Sequence, residues 1–480
     1  MTRELWTAIE AAAATGGALC ARGDRSLGWA AEEWAARGIS IDTRNLKPGD
    51  IFVALRDARD GHEFVPNAFD AGAAAALVAG APENAPTGAP LLVVGDTLQG
   101  LRDLAVAARL RNFGKRIAVT GSAGKTSTKE ILRGVLAPSG SVHAADKSFN
   151  NHYGVPLTLA QLPMNARYGV FEIGMNHAGE ITPLTELVRP HAAIVTTVAA
   201  AHLEFFKSVD EIAAAKAEIF SGLTRGGVAI LPADNKYFDF LKKRAEQAGA
   251  AGFISFGESK GADFRLLHHE AAGAGAKMNV SINGDKREFA FGIPGKHQAV
   301  NLLAALAAAS SVGACIDAAI DAAASLVPAD GRGARTSIQI GAGAATLIDE
   351  SYNANPTSMA AAIGLLGDAP LGADGRRIAV LGEMLELGSD APSLHAGLAE
   401  NLSAAKIDSV FVAGALMDNL WDALPSAMRG AKAHNANDLV NDVIAALAPG
   451  DAIMVKGSNA SGVSIIAKVL CELGQKETAI

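Results

Sequence analysis

Residues 119–130 read VTGSAGKTSTKE, and how this stretch is read decides the fold. Only two residues separate Gly121 from Gly124, whereas the usual phosphate-loop pattern has four between its first glycine and the Gly-Lys pair. The physical requirements are looser than that pattern. Small residues must let backbone N–H groups face an anion, a helix must start behind them, and a lysine must reach the outer phosphates. Arg116–Thr120 (RIAVT) is a short apolar run of the kind found in a buried parallel strand. Thr126–Leu136 reads as the following helix, with Ile131, Leu132 and Val135 on one face. The order strand, glycine turn, helix therefore predicts a nucleotide site built from Gly121, Ser122, Ala123, Gly124, Lys125, Thr126 and Ser127. In it Lys125 bridges the β and γ phosphates and Thr126 holds Mg²⁺.

Outward from this loop, strand-like runs (YGVFEIG, AAIVTTV, VAILPAD) alternate with alanine-rich helices, which predicts an α/β fold with a parallel sheet covered on both faces. The 480 residues suggest roughly three domains. Their expected limits are 1–97, 98–329 and 330–480. The first holds two strand-like runs around a Pro-Gly-Asp turn (39–55), a helix and the strand LLVVGD. The second ends in an antiparallel meander, FRLLHHE through REFAFGIPG, and a helix from near His297. The third repeats the alternation with TLIDES, RIAVLGE, SVFVAG and AIMVKGS but lacks a G-x-G-x-x-G turn, which argues against a dinucleotide cofactor.

Bulk properties exclude other classes. The net charge of −8 disfavours nucleic acid as a partner. No apolar run is long enough to insert in a membrane, and Glu4 and Glu10 stand where a secretory leader would be basic and then apolar, so a cytoplasmic protein is expected. Cys20, Cys315 and Cys471 are scattered and form neither a metal cluster nor a disulfide framework.

In open α/β sheets ligands gather at the carboxyl ends of strands, so polar residues at strand exits carry the most information. Glu172 ends an apolar run, where a carboxylate serves either a structural ion pair or, beside a phosphate loop, Mg²⁺. His202 follows AAIVTTVAAA and reads as a packed histidine or a ligand. Lys216 shares a helical face with Ile212 and Phe220 within 209–223, so it points inward unless it snorkels. A buried amine either is driven towards neutrality or demands an anionic partner, and a neutral amine can capture CO₂ as a carbamate, an anionic oxygen ligand suited to a second Mg²⁺. Asn150 and Asn151 offer uncharged hydrogen bonding or a plain turn. Asn301 lies one turn after His297 on one helical face. Arg332 sits at the expected hinge, as a solvated linker residue or one that swings onto a γ-phosphate. Asp349, before SYNANP, is placed for a ribose hydroxyl.

TGSAGKTS, NNHYGVPLTL, FEIGMNHAGEI, AAAHLEFF, AKAEIF, GKHQAVN, DGRGAR, DESYNANP and LGEMLELG, in this order, resemble the Mur ligases nearly end to end. DESYNANP and the early IDTR favour the member acting on UDP-N-acetylmuramoyl-tripeptide and D-alanyl-D-alanine. The resemblance implies three domains: one for the UDP-sugar peptide, a central P-loop ATPase and a C-terminal Rossmann-like domain that closes over ATP. It implies an ATP-dependent ligase of peptidoglycan precursor synthesis, working as a monomer with ATP and two Mg²⁺ ions. Carried over, Lys125, Lys216 and His202 are catalytic, and Thr126, Glu172, His202 and an N-carboxylated Lys216 ligate metal. Asn301, Arg332 and Asp349 contact nucleotide, while Thr43, Arg44, Asn150 and Asn151 contact the UDP-linked substrate. Two departures stand out. Lys207 occupies a position where relatives commonly have glycine, and VKGSNASG (455–462) lacks an arginine often found after its serine, so Lys456 and Ser458 receive no catalytic role.

Overall fold

The computed structural model describes residues 4–22, 33–201 and 203–476, the last three of these by backbone alone. The run at 116–120 forms the strand Lys115–Thr120, buried from Arg116 onward. Burial on both sides explains why its apolar residues are continuous rather than alternating. Gly121 (φ 151°) and Gly124 (φ 82°) then turn the chain into the helix Lys125–Leu136. Neither glycine could carry a side chain, because a Cβ would lie 1.9 Å from Thr196 Oγ1 at Gly121 and 2.7 Å from Asn301 Oδ1 at Gly124.

Strand Lys115–Thr120 sits inside a nine-stranded sheet, between parallel neighbours Tyr168–Glu172 and Ala192–Val195. Parallel strands Val228–Pro232 and Gly252–Gly257 extend it, and the expected antiparallel meander follows as Phe264–Ala272, Gly275–Ile282 and Asp285–Phe291. Apolar cores cover both faces. Ile131, Leu132 and Val135 pack with Leu302 and Leu306 of the helix Lys296–Ser311 on one side, and Phe171, Ile212 and Phe220 pack on the other.

Two further sheets flank this one in sequence. A five-stranded sheet uses residues between Ala18 and Val93. In it Gly38–Ser40 and Asp50–Val53 pair in parallel, so the loop 41–49 between them crosses the sheet's edge and carries Thr43 and Arg44. A six-stranded sheet runs from Ala334 to Lys456, with the four expected strands at its centre. Its outer strands, Ala334–Ile340 and Arg429–Ala433, were not signalled by apolar runs, because sheet edges face solvent and keep polar side chains. The helical pattern at 209–223 divides into an α-helix, Val209–Ala217, and a tighter turn, Glu218–Gly222, where Thr185 Oγ1 donates to the Ile219 carbonyl at 2.8 Å. Among the described residues no helix is long and apolar enough to cross a membrane.

Candidate active site

The glycine loop is braced from the neighbouring strand. Thr196 Oγ1 donates to the carbonyls of Thr120 (3.2 Å) and Ala123 (2.5 Å), and Ser122 Oγ donates to Ala199 O at 2.9 Å. Lys125 Nζ donates to Gly121 O at 2.8 Å. Burial pulls the Lys125 ammonium below its ordinary pKa, Glu172 opposes that pull and Arg332 adds to it.

Glu172 ends the strand paired with Lys115–Thr120, in register with Val119, which brings its carboxylate beside the loop. Thr126 Oγ1 donates to Glu172 Oε2 at 2.8 Å and Asn150 Nδ2 donates to Oε1 at 2.7 Å. Ser148 Oγ lies 3.0 Å from Thr126 Oγ1, and Arg332 Nη2 donates to the same hydroxyl at 2.9 Å. The Arg332 guanidinium is seated 4.2 Å from the Tyr352 ring centre. These residues, Asn301 and the loop line one cleft of about 600 Å³ between the nine-stranded and six-stranded sheets.

Thr126, Ser148 and Glu172 present only oxygen donors, the ligand type a small hard cation such as Mg²⁺ takes alongside phosphate oxygens and water. Among the described residues no three His, Cys, Asp or Glu side chains converge on a metal position by themselves. His202 lies outside the described residues.

Lys216 is wholly enclosed, as its helical spacing predicts, so the snorkelling alternative does not hold. Its Nζ has no hydrogen-bond partner. Burial drives its pKa well below the ordinary lysine value, the charge of Lys125 pushes in the same direction, and Glu218 and Glu180 oppose. A neutral, unpartnered amine is the state that reacts with CO₂, and a buried polar atom left unpaired is costly.

Three expectations change in detail. Asp349 is not among the residues lining the cleft; its carboxylate accepts from Ser351 N at 3.0 Å, and the next residue, Glu350, faces the cleft instead. Successive strand residues point to opposite faces, which sets the two carboxylates apart. Asn151 lines neither cavity, since its Oδ1 accepts from Tyr153 N (3.2 Å) and Gly154 N (2.9 Å) at the start of the helix Gly154–Ala160; its turn reading is the one realised. Lys456, given no role above, lines the cleft with Ser148, Glu350 and Tyr352. It ends its strand in register with Glu350, so the strand-exit criterion that found Glu172 also applies to it.

A second cavity, about 950 Å³, is lined by Thr43 and Arg44 together with Lys147, Phe149 and Tyr153 from the central part of the chain. Asp42 holds the exposed Arg44 in a two-point contact, Nε to Oδ1 at 2.9 Å and Nη2 to Oδ2 at 2.8 Å. The Arg44 partnership lowers the Asp42 carboxyl to about 2.

Comparison with known proteins agrees with this geometry. Residues 119–309 match the family described as Mur ligase middle domain, and residues 334–459 match that described as Mur ligase, glutamate ligase domain. The UDP-N-acetylmuramoyl-tripeptide--D-alanyl-D-alanine ligase of Escherichia coli (strain K12) is 38% identical over 78% of this chain and 81% of its own. The enzyme of the same name from Rickettsia prowazekii is 32% identical over 88% of this chain and 92% of its own. Among solved structures, MurF from Acinetobacter baumannii superposes with a TM-score of 0.82 at 28% identity, covering 97% of this chain and 99% of that one. MurF ligase from Thermotoga maritima in complex with ADP gives 0.76 at 25% identity, covering 92% and 98%.

Proposed function

The chain belongs to the Mur ligase family, and from that membership we propose that it joins D-alanyl-D-alanine to UDP-N-acetylmuramoyl-tripeptide, cleaving ATP to ADP and phosphate. The observation that carries this reading is the convergence of Lys125, Thr126, Glu172 and Arg332 on one cleft at the carboxyl ends of the central strands. On this reading residues 1–97 take the UDP-sugar peptide at the Thr43–Arg44 cavity, 98–329 take ATP, and 330–480 close over it.

Amide formation then proceeds in two displacements. A carboxylate oxygen of the tripeptide attacks the γ-phosphorus, the bond to the β–γ bridging oxygen breaks, and ADP leaves. Lys125 and Arg332 face the charge that spreads over the transferring group. The dipeptide amine next attacks the acyl phosphate carbonyl, phosphate departs with the carbon–oxygen electron pair, and the amine loses a proton. Thr126 and Glu172 would hold one Mg²⁺, and N-carboxylated Lys216 with His202 a second. Bound there, the ions would screen the repulsion between the phosphate tail and the attacking carboxylate. Closure of residues 330–480 over the cleft would exclude water, which otherwise hydrolyses the acyl phosphate.

Phosphate release from ATP by the purified chain tests the reading. It should require the UDP-linked tripeptide and D-alanyl-D-alanine together, with mass analysis showing the pentapeptide product. Release driven by a UDP-linked dipeptide with a diamino acid, or by a folate with glutamate, would assign the chain to another ligase of the same superfamily.

A further inference from the structure

Lys129 stands one helical turn after Lys125, on the helix that begins at the phosphate loop, and is fully buried. Neither the phosphates nor the metal position needs it. Its Nζ donates to Ala145 O at 2.6 Å and to Lys147 O at 3.3 Å and pairs with Glu130 Oε1 at 2.7 Å. Arg133, one turn further, donates to the carbonyls of Ala144 (3.1 Å) and Ala145 (2.8 Å). One helix therefore grips the backbone of 144–147 with two cations. Burying a lysine as a cation is costly unless its hydrogens are engaged, and bonds from a charged donor are stronger than neutral ones.

The gripped segment is a wall shared by the two cavities. Lys147 and Phe149 line the cavity of Thr43 and Arg44, whereas Ser148 and Asn150 line the nucleotide cleft. On one side Lys147 Nζ reaches Asn45 Oδ1 at 3.2 Å; on the other, Ser148 contacts Thr126 and Asn150 contacts Glu172. Displacing this segment moves both sets of contacts at once. We infer that Lys129 is a positioning residue that fixes the wall 144–150 to the phosphate-loop helix and so couples occupancy of the nucleotide cleft to binding in the second cavity. This rests on the reading that the second cavity takes the UDP-linked tripeptide.

The test is binding calorimetry on the full chain with a non-hydrolysable ATP analogue plus Mg²⁺, and with UDP-N-acetylmuramoyl-tripeptide, each alone and in the presence of the other. In the native chain each ligand should tighten the other by about tenfold, within the usual range for coupled sites. Lys129→Met should bring that factor close to one and raise the KM for the tripeptide more than it lowers kcat, and Lys129→Arg should recover part of the coupling. Arg133→Gln removes a less buried partner of the same carbonyls; it keeps the question open to measurement if Lys129→Met does not fold, and should halve the coupling or more. Native coupling in the folded variants, or none in the native chain, overturns the inference. Native tripeptide binding that Arg44→Ala and Thr43→Val leave unchanged would instead refute the assignment of the cavity.

Discussion

The guanidinium of Arg332 donates to the hydroxyl of Thr126 at 2.9 Å although 206 residues separate them in sequence. The hydroxyl also donates to Glu172, so an arginine from the start of the C-terminal part of the chain is tied to the proposed metal position. Its guanidinium carbon lies over the Tyr352 ring, 4.2 Å from the centre, which restricts the direction of the fork. Arg332→Ala should lower kcat by about 10²–10³-fold, the loss typical when one donor facing transition-state charge is removed. Arg332→Lys should recover little, because a lysine supplies charge without the fork or the stacking. Steady-state phosphate release at saturating ATP checks both, and a lysine variant with native kcat would remove the positional role.

Lys216 combines complete burial with an amine that has no partner, which makes it costly to keep unless it is modified. Lys216→Met should abolish turnover, with formate or acetate restoring a fraction by supplying the missing carboxylate oxygens. In CO₂-free, metal-free buffer the same variant should melt higher than the native chain, because an apolar side chain of similar length replaces a desolvated amine. Growth or equilibration with ¹³C-bicarbonate should give a carbamate carbon resonance in the native protein that Lys216→Met lacks. Full activity of Lys216→Met without added carboxylate would eliminate the carbamate.

The parts of the fold that sequence revealed were those where burial dictates composition. The central strands are continuous apolar runs because both faces are covered, and the helix around Lys216 shows its inward face by spacing alone. At the end of the strand Gly343–Glu350 the sequence reading named Asp349 alone, because two adjacent carboxylates at a strand exit leave no local sign of which one faces a cavity. The second cavity was legible only at Thr43 and Arg44. The rest of its wall comes partly from other residues of 37–64 and partly from 143–161, the latter brought there by packing between distant segments that leaves no local signature.

His191 supplies a pH dependence. It precedes the strand Ala192–Val195, its Nδ1 accepts from Arg116 N at 3.1 Å, and partial burial, reinforced by Arg116 and Lys115, lowers its pKa from 6.5 to about 4. The unfolded chain therefore binds a proton between those values that the folded chain refuses. Stability is fully present above about pH 6.5 and is lost as pH falls towards about 4. His191→Asn should flatten this acid-side slope. Urea midpoints compared at about pH 7 and about pH 5 measure it, and equal slopes for variant and native protein would exclude His191 as the source.

Lys456 and Glu350 form a deeply buried ion pair in the cleft, with 2% and 8% of their surfaces exposed. Lys456 Nζ lies 3.5 Å from Glu350 Oε2 and donates to Asn353 O at 2.9 Å, while Glu350 Oε1 has no partner. Burial lowers the Lys456 pKa, and Glu350 opposes that shift. Removing one charge leaves the other desolvated, so Lys456→Met should cost about 3–5 kcal/mol. Adding Glu350→Gln should recover most of that loss, because the stranded carboxylate disappears with its partner. A double-mutant cycle on urea midpoints reads the coupling directly. Simple additivity of the two substitutions would mean that the lysine acts through the Asn353 carbonyl, which holds the 350–355 segment against the phosphate loop where Asn355 Nδ2 donates to Ser122 O at 3.1 Å.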